Sequence, residues 1–264
     1  KVVVSGYYGF GNAGDEAMLA AISSSLQERL PGVRLVVLSA NPGATEREHG
    51  VEAVGRTDIP GIWYHLRDCD LFLSGGGSLL QDATSERSLG YYLGLVYLAR
   101  RLGRRVMIYG EGVGPIRGRL GRALVARVVR GLDAVTVRDE GSAAELRRLG
   151  VTSPVVVTAD PALGLAPPDP GPGLEVLRAA GVPEGQPLLG ISLRPWGKGA
   201  YLATVARAAD YFQSVLGAHV VLIPMQPSQD GPVLRRAAEM MKRPATMLEG
   251  EYGIQGLFVG VPVK

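Results

Sequence analysis

At 264 residues the chain is long enough for one large domain or two of modest size, and its 46% hydrophobic and 20% charged content is that of a soluble globular protein. A net charge of +3, with 4 Phe and 2 Trp, provides no basic stripe interleaved with aromatics, which excludes a nucleic-acid module. No run of about 18 uncharged apolar residues predicts a membrane span, and the single cysteine, Cys69, excludes an internal disulfide framework and fits a reducing cytosol.

Short apolar runs alternate with helical patterns along the chain. "VVVSG" (2–6) predicts a strand and is too short for the apolar region of a signal peptide, so no cleaved leader is expected. A helix follows over 15–30, with Met18, Ile22, Leu26 and Leu30 on one face. After a strand at 33–40 the stretch from Pro42 to Pro60 reads as irregular. Strands at 69–77, 105–115, 133–139 and 154–161 then alternate with helices at 89–103, 119–131 and 141–149. Cys69 reads as a small buried hydrophobe at the start of its strand. Continuously apolar strands between helices predict a parallel sheet covered on both faces.

The prolines and glycines of "LAPPDPGPG" (165–173) predict a linker. A second, shorter α/β series follows: strands at 187–195 and 219–226, helices near 201–216 and 231–242. The expected organisation is an N-terminal Rossmann-like domain over 1–164 and an incomplete C-terminal one over 174–264, with a cleft between them.

Gly9, Gly11 and Gly14 spell G-x-G-x-x-G, but the context argues against a dinucleotide site. The second strand ends "LSAN" (38–41), without the acid that would hold ribose hydroxyls. Asp15 and Glu16 stand where a pyrophosphate would meet the helix, and two carboxylates there repel a phosphate. Four glycine-rich or charged turns follow predicted strands: Gly9–Glu16, Gly75–Asp82, Gly110–Pro115 and Arg138–Asp139, with Asp160–Pro161 beside them. In a parallel sheet they share the carboxyl rim, where ligands bind. Their glycines admit a ligand close to the backbone, and consecutive amides can form an anion nest. Among 28 basic residues only Lys1, Lys198, Lys242 and Lys264 are lysine. The arginines that remain suit a two-pronged grip on carboxylate or phosphate.

In order, "GYYGFGNAGDEAML", "GGGSLLQD", "GEGVGP", "VTVRDEGSAAELRRLGV", "TADPAL" and "ISLRPW" resemble the polysaccharide pyruvyl transferase family, most closely its bacterial cell-surface anchoring branch. The resemblance implies an α/β, GT-B-like fold of two Rossmann-like domains facing across a cleft. It implies a transferase moving the enolpyruvyl carbons of phosphoenolpyruvate onto a sugar. In that branch the sugar is N-acetylmannosamine of a lipid-linked cell-wall precursor, and its pyruvate ketal anchors S-layer proteins. Neither a redox cofactor nor a metal is expected. The location implied is cytoplasmic, with membrane contact only through the lipid-linked acceptor.

On this resemblance Arg138 is the first catalytic candidate, as a cation for the donor, with Asp139 available to orient it. Asp15 is the candidate base, or only a helix cap. Asn12, Gly14 and Glu16, with Gly75, Gly76, Gly77 and Asp82, are candidates for the acceptor side, each with a cap or turn role as the alternative. Arg194 and Gln226 are the donor-side candidates of the second domain.

The family's general acid is a histidine in an Arg-x-His motif. His49, His65 and His219 do not match it, and "LEGEYGIQGLFVGVPVK" (248–264) lacks the expected helix and its histidine. Two alternatives stay open: a GT-B-type glycosyltransferase using a nucleotide sugar, and a catalytically silent protein binding a glycan precursor.

Overall fold

The computed structural model describes residues 1–82, 85–166 and 169–249. The chain divides into two compact units, Lys1–Leu165 and the chain from Ala166 onward.

The first unit is built on seven strands: β1 (Val2–Tyr8), β2 (Leu35–Ser39), β3 (Glu52–Gly55), β4 (Leu71–Gly75), β5 (Arg105–Glu111), β6 (Ala134–Val137) and β7 (Val156–Val157). They form one parallel sheet in the order β3-β2-β1-β4-β5-β6-β7. Val2 pairs with both Leu35 and Leu71, so the strand order reverses between β1 and β4. The crevice of such a sheet opens beyond the strand ends at that reversal, where the Gly9–Glu16 and Gly75–Asp82 turns begin.

Among the described residues six helices cover the sheet: α1 (Ala13–Arg29), α2 (Pro42–His49), α3 (Ile59–Arg67), α4 (Glu86–Arg101), α5 (Arg119–Val129) and α6 (Glu140–Arg148). The period-2 alternation of the strands separates two cores. Val3, Val36, Leu38, Phe72 and Ile108 pack with Ile62, Leu93, Val125 and Leu146 from α3 to α6. Val2, Val4, Leu35, Val37 and Leu73 pack with Leu19 and Ile22 of α1. Both faces of the strands are therefore dry, which is why their sequences are continuously apolar. Cys69 is buried in the first of these cores, and burial pushes its thiol pKa up. Leu30 lies outside the apolar face expected of the first helix: it follows the last turn of α1 and is exposed.

The stretch expected to be irregular between Pro42 and Pro60 holds α2, β3 and the start of α3. Asn41 accepts the Ala44 amide and Asp58 the Gly61 amide, each ahead of a first-turn proline. These are helix-start signals that the sequence displays.

The second unit contains α7 (Gly171–Ala179), β8 (Leu188–Ile191), α8 (Leu202–Val215), β9 (His219–Leu222), α9 (Pro227–Glu239) and β10 (Thr246–Met247). Its parallel sheet runs β10-β9-β8. The end of the expected linker is helical, because Pro172 stands in the first turn of α7, where its missing N–H is not needed. Val220, Leu222, Ala209 and Leu234 form the core between β9, α8 and α9. His219 opens β9, and its Nε2 lies 2.8 Å from Thr246 Oγ1. The part of the expected general-acid region from residue 250 on lies outside the described residues.

Candidate functional site

At the β1–α1 turn, Asn12 caps the helix: its Oδ1 accepts the amides of Gly14 (3.0 Å) and Asp15 (3.2 Å). Glu16 is buried, and its Oε1 accepts the Gly9 amide at 2.8 Å, while its Oε2 lies 3.1 Å from His49 Nε2. A side-chain carboxylate thus holds an amide of the very turn where a dinucleotide fold would place a phosphate. Glu16, Glu48 and His49 offer ligand atoms within 4.8 Å of one another. Because both Glu16 oxygens are already engaged, we read the cluster as a tie between α1 and α2.

The Gly75–Gly77 turn needs glycine, with φ of +74° at Gly76 and +86° at Gly77. Its amides do not form the anion nest that the sequence suggested. Gly76 donates to Tyr109 O (3.1 Å) and Gly77 to Met18 Sδ (3.0 Å). The Gly75 carbonyl accepts the Tyr8 hydroxyl. The turn nonetheless meets two neighbours. A Cβ on Gly77 would lie 3.0 Å from Asp15 Oδ1, which places the candidate base against this loop. Gly112 donates to Gly77 O (2.8 Å) and Gly114 to Leu80 O (2.8 Å), so the loops after β4 and β5 zip together beyond the sheet. Asp82 anchors the next segment, its Oδ2 accepting the amides of Arg117 and Gly118 at 2.7 Å each.

Arg138 follows β6 on this rim. Its Nη1 donates to Asp160 Oδ2 (3.1 Å) and its Nη2 to Ser78 Oγ (3.1 Å), and Asp139 Oδ2 lies 3.6 Å from Nε. Asp139 also caps α6 through the Ser142 amide, a bond that holds its carboxyl pKa below the usual range, with Arg138 assisting. A guanidinium has five N–H groups, and the two described hydrogen bonds use two of them. The side chain is one-third exposed and lines an open pocket of about 360 Å³ with Ser78, Gly112, Ser142 and Arg148. Asp139 and Glu145 line the pocket as well, and Arg148 is ion-paired with Glu145, so Arg138 supplies the N–H groups that an anion would meet there.

Three features of this rim carry roles that the sequence did not assign. Glu111, the last residue of β5, is 0% exposed. Burial pushes its carboxyl pKa up to about 8, against the opposing influence of the Leu79 and Leu80 amides, the Ser74 hydroxyl and the Arg138 charge. Ser78 and Asp160, both in turns visible in the sequence, orient Arg138. Arg56, just after β3, stacks over Tyr91 (4.5 Å), Phe10 (4.9 Å) and Tyr92 (5.8 Å). Glu111 left no signal beyond its place between glycines in "GEGVGP".

In the second unit, Arg194 Nη2 donates to Gln226 Oε1 at 2.9 Å, which brings together the two residues named from the sequence. The fully buried Asp230 accepts the Gln226 amide (2.7 Å) and lies 3.7 Å from Arg194 Nε. The segment after β8 and the start of α9 therefore present one cation beside a fixed amide.

Among the described residues no helix is long and apolar enough to cross a membrane. The sequence matches the family described as polysaccharide pyruvyl transferase over residues 12–258. No curated relative matches the chain. Among solved structures the chain is similar to a glycosyltransferase from Rickettsia africae ESF-5, with a TM-score of 0.60 and 12% identity over 98% of this chain and 70% of that one. It is similar to S. aureus MnaA in a co-structure with UDP (TM-score 0.56, 12% identity, 95% and 70% covered). A third likeness is to the UDP-GlcNAc 2-epimerase of Neisseria meningitidis bound to UDP-GlcNAc (TM-score 0.57, 12% identity, 98% and 75% covered). At this identity the likeness is one of fold, GT-B-like α/β. The match across nearly the whole chain makes this protein a transferase that belongs to the polysaccharide pyruvyl transferase family.

Proposed function

We propose that the chain transfers the enolpyruvyl carbons of phosphoenolpyruvate to two hydroxyls of a sugar acceptor, forming a pyruvate ketal and releasing phosphate. The acceptor proposed is N-acetylmannosamine of a lipid-linked cell-wall precursor, met at the cytoplasmic face of the membrane, and the ketal serves S-layer anchoring. Atoms balance without an oxidant: the carbon 2–carbon 3 π bond opens as carbon 3 gains a proton, carbon 2 forms two C–O bonds to the acceptor and breaks its C–O bond to phosphate, and of the two hydroxyl protons one balances that on carbon 3 and the other leaves with the phosphate. Neither a metal nor a redox cofactor has a part in this reading.

The observation that carries the proposal is Arg138, held at the rim by Asp160 and Ser78 with N–H groups to spare and lining an open pocket. The carboxylate and phosphate of the donor need such charge-assisted donors. Asp15, against the Gly77 loop, is the proposed base for the acceptor hydroxyls. Asn12, Gly14, Glu16, Gly75, Gly76, Gly77 and Asp82 shape the acceptor side largely through caps and turns. Arg194 and Gln226 are the proposed donor contacts of the second unit.

The test is phosphate release by the full chain from phosphoenolpyruvate with an N-acetylmannosamine-containing disaccharide, with Arg138→Ala alongside. Acceptor-dependent release that disappears in the variant supports the reading. Turnover of a nucleotide sugar with none of phosphoenolpyruvate would assign a glycosyltransferase, and acceptor binding without turnover of either donor a silent binder.

A further inference from the structure

Glu111 is the most unusual group of the first unit. Its carboxyl is fully buried, and the polar groups that face it are the Leu79 and Leu80 amides and the Ser74 hydroxyl. Burial outweighs these donors, so an ionised carboxylate there is costly. The titratable groups around it come from three elements: Arg138 after β6, Tyr8 on β1 and Tyr92 on α4. Burial is the first cause that raises the phenol pKa of both Tyr8 and Tyr92, so both stay neutral, and Arg138 is the charge that Glu111 feels. The two are joined through the backbone as well, the Arg138 amide donating to Glu111 O at 3.3 Å.

Arg138 already faces two carboxylates, Asp139 and Asp160. A third negative charge behind it would leave little attraction for an anion. We propose that Glu111 is a positioning residue whose proton is linked to the anion site: neutral, it lets Arg138 hold an incoming oxyanion, and ionised, it weakens that hold. Binding an oxyanion then draws a proton from solvent onto Glu111. The carboxyl, raised to about 8, is part neutral and part ionised in mildly alkaline solution, where this exchange is measurable. The inference rests on Arg138 being the donor-side cation.

The probe is sulfate, whose charge is constant from about pH 6.5 to 9.5, titrated calorimetrically into the full chain in buffers of different ionisation enthalpy. Affinity is expected to fall roughly tenfold between about pH 7 and 9.5, with proton uptake near pH 8. In Glu111→Gln, an isosteric neutral mimic, affinity should be flat with pH and uptake absent. Wild-type binding without proton uptake overturns the proposal whether or not the variant folds, and so does a variant that keeps the pH dependence. Sulfate binding that survives in Arg138→Ala, or no sulfate binding at all, removes the Arg138 reading itself. Arg138-dependent but pH-independent binding removes only the role of Glu111.

Discussion

The Arg138 guanidinium stands 3.1 Å from the Asp160 carboxylate, joining the ends of β6 and β7 at the rim of the first sheet. With Ser78 on its other nitrogen, the arginine is aimed by neighbours from two different loops. Such preorganisation is what a binding cation requires, since the cost of ordering it is met in the folding of the protein. Arg138→Ala should lower phosphate release by ~10²-fold. Asp160→Asn should keep a folded enzyme and raise KM for the anionic donor by roughly tenfold through a misaimed guanidinium. Steady-state kinetics on both variants, with donor and acceptor varied separately, checks this. An effect confined to acceptor KM would move Arg138 off the donor.

Gly112 offers a way to disturb Arg138 without touching it. A Cβ there would lie 2.7 Å from Ser78 Oγ and 2.9 Å from both Nε and Nη2 of Arg138. The neighbours are side-chain ends, so Gly112→Ala should displace the guanidinium at little cost to the fold. The expected outcome is a roughly tenfold loss of turnover with a Tm shift of a few degrees at most. Unchanged kinetics would show that the position of Arg138 does not matter.

Glu111 makes a stability prediction independent of any substrate. Its carboxyl is raised from 4.5 to about 8 in the folded chain. Between these values the folded state holds a proton that the unfolded state has lost, so stability falls as pH rises through this window and levels off above it. The fully buried group implies a loss of a few kcal/mol. Glu111→Gln should match the wild type near pH 5 and be more stable near pH 9, as thermal melts across this range would reveal. Parallel pH curves for the two proteins would contradict the assignment.

Asn12 and Asp82 separate architecture from chemistry. Each accepts two backbone amides, at the start of α1 and just ahead of α5. Replacing either with alanine should cost about 1 kcal/mol, seen as a Tm lower by a few degrees, with the acceptor KM little changed. A large rise in acceptor KM at constant Tm would instead make the side chain a ligand contact.

Much of this protein was decided along the chain. Unbroken apolar strands such as Leu35–Ser39 are stable only when helices cover both faces, so the parallel sheet and the rim carrying the glycine turns follow from local pattern. The pairing of Arg138 with aspartate neighbours was also within reach, because the residues lie at predicted strand ends. What only the tertiary structure decided is which groups meet across loops and what that does to their chemistry. The Gly76 and Gly77 amides became internal bonds, Arg194 found Gln226 thirty-two positions away, and Glu111 lost its water. Burial and Coulomb interaction depend on distance in space and on excluded solvent, and periodicity along the chain encodes neither.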